Sequence, residues 1–374
     1  GLDDLPQFAI VTSVVTEGGV GQWDATTLRK KLTGKSVRVQ PSVGSRSQSI
    51  TGGASLKDAE TMFQLVHLYF TQPHKDTTAW QGFVNRNYSF LNNRNASPRV
   101  DYNDSIAAII YGHHPRIMPM TQERLMRADY DRMFAIYQQC FSNAADFNTV
   151  ILSTMPIDQL RPLICRYLAS LPGTVRSAKV VEENLPQIVA KSSVNVFKKK
   201  MATPLANVSI FYMADVDFTP RNDLVLDFLK RTLSIAYTDS VREEKGGTYG
   251  VSVDFSLEKD EKPSATLRIS YNADPSRYDE LNPVVYAQLE QTANHGPVAA
   301  SMEKVREYLL KQYDQVAITN DYWDYVAWHL IDDDADFDTG YCDMVRQITA
   351  AEVQQMARQL LKQGCRIEVT MLSE

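Results

Sequence analysis

Residues 55–91 read SLKDAETMFQLVHLYFTQPHKDTTAWQGFVNRNYSFL, and residues 276–313 read SRYDELNPVVYAQLEQTANHGPVAASMEKVREYLLKQY. Each stretch opens on a serine followed by acidic residues, the composition of a helix N-terminus. Each then carries apolar residues at helical spacing, breaks at a proline (Pro73 or Pro297), and restarts as a second helix. Asp58 falls against Asp279, and Trp80 against Met302. A helix followed by a strand recurs at the same shift, residues 128–154 against 350–372, with Phe141 opposite Leu361 and Phe147 opposite Ile367. The offset is about 220 residues, the size of a domain rather than of a solenoid repeat. One architecture is therefore written twice.

Working outward, the first copy has a leading helix over about 5–16, a break at Gly18-Gly19, a helix over 25–32, and strands over 36–43 and about 47–51. The second copy has strands over 194–199 and 206–217, a helix over 221–242, and strands over 248–256 and 265–272. Strands grouped beside long helices predict an α+β fold. Two homologous α/β sandwich domains are expected, each a mainly antiparallel sheet with helices on one face. The domains are placed at 1–173 and 191–374, with 174–190 as the linker. The first copy has no counterpart of the strands before the second leading helix. That gap is about 30 residues by a strand-plus-turn count, and it predicts that the chain begins inside a domain.

Composition bounds the function. The chain has 374 residues, 44% hydrophobic and 22% charged, with a formal net charge of −6. An acidic balance argues against nucleic acid as a partner, because phosphate binding needs clustered Lys and Arg. The one compact basic run, Lys198-Lys199-Lys200, reads as a solvated hairpin edge. The four cysteines, Cys140, Cys165, Cys342 and Cys365, form no C-x-x-C pair and no disulfide scaffold. No apolar stretch reaches the ~18 residues of a membrane span, and residues 1–6, GLDDLP, are no signal peptide.

Six histidines are present: His67, His74, His113, His114, His295 and His329. A helical zinc site needs paired histidines on one face with a glutamate base, and neither H-E-x-x-H nor H-x-x-E-H occurs. No metal ligand and no catalytic residue is therefore assigned. The acidic run over 332–340, DDDADFDTG, places its glycine one position late for an EF-hand, and Val345 stands where the bidentate glutamate belongs. It reads as a solvated loop capping the next helix. No G-x-S-x-G elbow, P-loop or Rossmann glycine pattern is present.

One segment stands apart, VREEKGGTYGVSV at 241–253. A helix carrying Arg242 ends at Gly246-Gly247, which suit a left-handed helix cap, and a strand starts at Thr248-Tyr249. The turn brings a guanidinium and a phenol, seven positions apart in sequence, to one corner of a sheet. Arg offers a fork for carbonyl or carboxylate oxygens, and Tyr a hydroxyl donor. The plainer alternative pairs Arg242 with a nearby glutamate and packs Tyr249 into the sheet.

The pattern R-E-x-x-G-x-x-Y-x-V of this segment resembles the Arg/Tyr element in the second half of pitrilysin/insulinase zinc peptidases. Residues 18–44 (GGVGQWDATTLRKKLTGKSVRVQPSVG), 58–76, 111–116 (YGHHPR), 168–173 (LASLPG) and 320–330 (NDYWDYVAWHL) resemble further elements of that family, in its order. The resemblance covers essentially the whole chain and is nearest to large bacterial single-chain members. It implies four similar domains of the LuxS/MPP-like metallopeptidase type, in two halves that close like a clamshell. The zinc motif H-x-x-E-H lies in the first domain of such enzymes. By this resemblance the chain is the third and fourth domains, a non-catalytic half that forms part of the peptide chamber. Arg242 and Tyr249 are then substrate-binding, and Gly246 and Gly247 form the turn at the site. No cofactor is expected in this chain, and zinc belongs to the missing N-terminal half. The expected partners are that catalytic half, or a catalytic subunit, and a peptide substrate, with no nucleic acid and no membrane span. The implied location is periplasmic or otherwise extracytoplasmic. Two alternatives stay open: a stand-alone inactive homologue acting as a binding or scaffold subunit, and an unrelated metal-binding protein using His113-His114 with the acidic loop.

Overall fold

A computed structural model describes residues 2–44, 47–94, 96–176, 185–189, 191–238, 248–259, 262–362 and 364–374. The chain divides into two compact units, 1–187 and 188–374.

The first unit opens with α1 (Leu5–Phe8) and α2 (Val11–Gly18), where a single helix over 5–16 was expected. The break falls at Ala9 and Ile10. Ile10 leaves helical geometry at φ −129°, and Ile10, Val11, Val14 and Val15 all become buried. A hairpin of β1 (Gly19–Val20) and β2 (Trp23–Asp24) follows. Gly19 sits at φ +102°, and a Cβ there would lie 2.2 Å from the Trp23 carbonyl oxygen, so only glycine fits. Asp24 caps α3 (Ala25–Lys31) by accepting the Thr27 N–H at 2.7 Å. Then come the antiparallel β3 (Val37–Val43) and β4 (Gln48–Ala54). Helices α4 (Ala59–Thr71) and α5 (Thr77–Arg94) are the pair separated at Pro73. After them run α6 (Pro98–Ile110), α7 (Gln122–Met126), α8 (Tyr130–Cys140) and α9 (Ile157–Leu163). Their shared core is aromatic. The Trp80 ring stacks on Tyr130 at 5.3 Å, and the fully buried Tyr137 donates its hydroxyl to the Tyr69 carbonyl at 2.8 Å.

The closing strand expected after the helix within 128–154 is not formed. In the second unit the matching strand has a neighbour on each side. Among the described residues the first unit offers only the β1–β2 and β3–β4 hairpins. An extended segment without a ladder is not a strand. Phe147 packs on the helical core, its ring 5.4 Å from Phe70 and 5.6 Å from Phe141.

The second unit holds a five-stranded sheet. In chain order its elements are β5 (Ser193–Lys199), β6 (Ala206–Asp215), α10 (Pro220–Tyr237), β7 (Thr248–Glu258) and β8 (Ser264–Ala273). The helices α11 (Tyr278–His295), α12 (Ala299–Val316), α13 (Asn320–Asp332), α14 (Tyr341–Gln347) and α15 (Ala350–Lys362) follow, and β9 (Cys365–Ser373) closes the unit. The strand order is β5-β9-β6-β8-β7, with β5–β9 the one parallel pair. The sheet is thus mainly antiparallel, as the clustered strands predict. Val208, Ile210 and Tyr212 of β6 pack with Leu267 and Ile269 of β8 against buried residues of α10, α11, α12 and α15. At about 25 cal/mol per Å², each such side chain contributes roughly 1.5–3 kcal/mol of burial.

The helices carry their own end signals. Thr219 accepts the Asn222 N–H at the start of α10, with Pro220 at the first helical position. Thr349 and Glu352 form a reciprocal capping box at the start of α15. Arg306 of α12 donates to the carbonyls of Arg346 and Ile348 at 2.9 and 3.0 Å, satisfying the end of α14.

One carboxylate is held inside this core. Glu368 of β9 is 3% exposed and accepts from Asn282 Nδ2 at 3.1 Å and from the Tyr286 hydroxyl. Burial and that carboxylate push the Tyr286 phenol well above its ordinary range. Tyr286→Phe removes one of two side-chain donors from a buried carboxylate, at a cost of about 1–3 kcal/mol. A lower urea midpoint with unchanged slope is expected. An unchanged midpoint would mean that Asn282 alone suffices.

Candidate functional site

Arg242, Gly246 and Gly247 lie outside the described residues, which resume at Thr248. Tyr249 is the second residue of β7. The backbone around it is irregular. Thr248 pairs with Ala273 and Val251 with Tyr271, so β7 spends three steps where β8 spends two. The extra residue is a β-bulge over Tyr249 and Gly250, and Gly250 takes φ +157°. From Val251 onward the strand returns to regular alternation, with Val253 buried and Val251, Phe255 and Leu257 packed on the helical core. β7 is also an edge strand, and no described strand pairs with its outer side. An edge of this kind presents main-chain donors and acceptors to an extended peptide. The bulge thus falls at Tyr249, the tyrosine singled out in the sequence.

The second chemically dense feature of this unit is a cavity of about 370 Å³ on the outer side of α10. Asp223, Asp227 and Arg231 stand four residues apart and share one face of that helix. Arg231 Nε donates to Asp227 at 2.8 Å, and its guanidinium lies 4.5 Å from the Tyr308 ring centre. Among the described residues no side chain donates to the carboxylate of Asp223 or forms an ion pair with it. Burial, then the charge of Asp227, push the Asp223 carboxyl up to about 7.

The opposite walls are aromatic. Tyr313 of α12 and Tyr322 of α13 both donate to Asp338 Oδ1, at 2.9 and 2.7 Å. Their hydroxyl protons are thereby committed. Tyr341 of α14 stacks on Tyr313 at 5.3 Å, and Tyr325 of α13 meets Phe337 edge-on at 5.5 Å. Burial raises the phenols of Tyr325 and Tyr341, the latter to about 12, so the rings stay neutral at physiological pH. Sequence spacing exposes only the Asp223–Asp227–Arg231 ladder. The tyrosines converge from three helices.

His67, His74 and His329 are engaged locally. His67 and His74 hydrogen-bond the carbonyls of Tyr167 and Gly21, each at 2.9 Å, and His329 pairs with Asp333 at 2.6 Å. Among the described residues no three His, Cys, Asp or Glu side chains converge as metal ligands. In the acidic run, Asp336 accepts the N–H groups of Asp338 and Thr339, each at 2.9 Å, and the left-handed Gly340 leads into α14.

The chain is similar to known proteins. Residues 127–309 match the family described as the peptidase M16 inactive domain. The probable zinc protease PqqL of Escherichia coli is 24% identical over 311 residues, which are 82% of this chain and 32% of that protein. The chain therefore spans about a third of the length of that curated relative. The crystal structure of the periplasmic protease PqqL from Escherichia coli superposes with a TM-score of 0.86 at 19% identity, over 100% of this chain and 41% of that one. A peptidase M16 inactive domain from Pseudomonas fluorescens superposes with a TM-score of 0.76 at 14% identity, over 99% of this chain and 90% of that one. The mixed fold with its mainly antiparallel sheet is the fold of these proteases.

The Asp223 carboxyl makes stability depend on pH. Its folded value is raised from an ordinary 3.8, so the folded chain keeps a proton that the unfolded chain releases. Stability falls as pH rises between about 4 and 7, and the penalty is complete above that window. Asp223→Asn removes this slope. The variant is expected to be more stable at pH 8, on the order of 2 kcal/mol after solvent screening, with no difference near pH 4. Parallel urea midpoints at both pH values would show a carboxylate that is not penalised.

Proposed function

We propose that this chain, a homologue of the PqqL zinc proteases that carries a peptidase M16 inactive domain over residues 127–309, is the non-catalytic half of a zinc metalloendopeptidase. Residues 1–173 are its third domain, 174–190 a linker, and 191–374 its fourth. It walls part of a peptide chamber, and Arg242 and Tyr249 grip the substrate main chain. One observation carries the reading: the whole chain superposes on PqqL while spanning 41% of it. The donor chemistry supports it too, since hydrolysis needs a Lewis acid and an activated water, and the sequence lacks H-x-x-E-H. Zinc then belongs to the other half, which is the chain's partner.

The grip has a physical basis. An extended peptide exposes carbonyl oxygens along its edge. A guanidinium fork and a phenol each donate hydrogen bonds to such oxygens. Tyr249 stands at the bulged start of an edge strand, and donors to main-chain oxygens hold a peptide irrespective of its side chains. An extracytoplasmic location is part of the proposal, supported by the description of the PqqL structure as a periplasmic protease. No described helix is long and apolar enough to cross a membrane.

In the full-length enzyme, Arg242→Ala and Tyr249→Phe are expected to lower kcat/KM for peptide cleavage at least about tenfold, the loss of one charge-assisted or neutral hydrogen bond in the transition state. Zinc content by elemental analysis should stay at the wild-type value. Full cleavage activity in both variants would remove the assigned roles. Stoichiometric zinc with cleavage by residues 1–374 alone would overturn the whole reading.

A further inference from the structure

We propose that the cavity beside α10 binds an organic monocation on a short aliphatic stem, an alkylammonium of the lysine side-chain type, with Asp223 as its counter-ion. The site is independent of the peptide-gripping role above. It is built wholly from the second unit.

Charge makes the first argument. The cavity is lined by two carboxylates and one guanidinium, and the guanidinium is already bonded to Asp227. One negative charge is left over, on Asp223. A single positive charge neutralises the lining, whereas an anion meets a like charge. A divalent metal would find too few ligands, since calcium and magnesium take six or more oxygens and no third donor converges here.

Wall chemistry makes the second. Tyr313 and Tyr322 have spent their hydroxyl protons on Asp338, so they offer rings rather than donors. Aromatic rings attract a cation by roughly 0.5–2 kcal/mol each, more when it is desolvated. Leu224, Leu309 and Val316 line the same space and suit a methylene stem. A volume of about 370 Å³ falls in the range of small-molecule sites and exceeds what one ammonium head needs. Without a cation, the cavity tolerates this acid by holding a proton on Asp223 for part of the time. The cation would displace that proton.

The test is a titration of the purified chain with pentylammonium, followed by ligand-observed NMR, with 1-pentanol as the neutral counterpart. Saturable one-to-one binding is expected at millimolar concentration or below, with pentanol at least tenfold weaker. Asp223→Asn should weaken pentylammonium at least tenfold while melting no lower than the parent at pH 8, which separates a lost site from a lost fold. Tyr325→Ala should weaken it severalfold. Nα-acetyl-lysine N-methylamide resolves the source: tighter binding than the free amine assigns the site to a lysine side chain of a polypeptide, and equal or weaker binding assigns it to a free amine. Equal affinity for pentanol, unchanged affinity in Asp223→Asn, or no saturation by about 100 mM would overturn the proposal.

Discussion

The second unit depends on the burial of β6 between two strands that come from far along the chain. It pairs with β8 over ten residue positions and with β9 over eight. The second of these ladders joins residues 206–213 to 365–372, so the sheet closes only when the end of the chain arrives. Helices α10 to α15 are threaded between those two strands. The apolar faces of α10, α11, α12, α14 and α15 share one core with Val208, Ile210 and Tyr212 of β6. Non-local closure of this kind costs loop entropy before any contact is made. The near-complete burial of β6 offsets that cost, and the buried Glu368 adds a polar constraint. Its bonds to Asn282 and Tyr286 require β9 and α11 to meet in one register.

Locally encoded features were legible in the sequence. The helix–proline–helix pairs fall at α4/α5 and α11/α12, where serine, acidic residues and Pro73 or Pro297 mark starts and breaks. Strands β3 to β8 lie within a few residues of their expected bounds, because their apolar runs are bounded by turn residues. Features that depend on partners were not legible. Residues 147–153 have the composition of a strand but no ladder, and a strand is a property of two segments rather than one. The division of the leading helix at Ala9 and Ile10 follows from burying four apolar residues together, which periodicity over 5–16 does not foresee.

The same distinction governs the two sites. The Arg242–Tyr249 element is contiguous, so a pattern of ten residues carried the resemblance. The backbone adds that β7 takes one extra residue at Tyr249 and Gly250, a detail that only the pairing with β8 reveals. The cavity is the opposite case. Tyr313, Tyr325 and Tyr341 come from three helices, and nothing in their spacing announces that they face Asp223. Only the ladder of Asp223, Asp227 and Arg231 on α10 was there to be read, as three charged residues at a spacing of four.

That helix explains why Asp223 keeps an uncompensated charge. Leu226, Phe228, Leu229, Leu233 and Tyr237 are all at most 1% exposed, so the rotation of α10 is fixed and Asp223 stays half-buried at the cavity wall. Arg231 lies eight residues away, about 12 Å along the axis, and Asp227 stands between them and takes its guanidinium. The other cations on this helix are engaged elsewhere, Arg221 with Glu352 at 2.7 Å and Lys230 with Asp254 of β7 at 3.3 Å. The sheet thus fixes the helix, the helix fixes the order of its charges, and that order leaves one acid facing a ring of tyrosines. The first turn of α10 favours an acid at this position. Among the described residues no side chain donates to that carboxylate, and an external cation is the contact that its geometry fits.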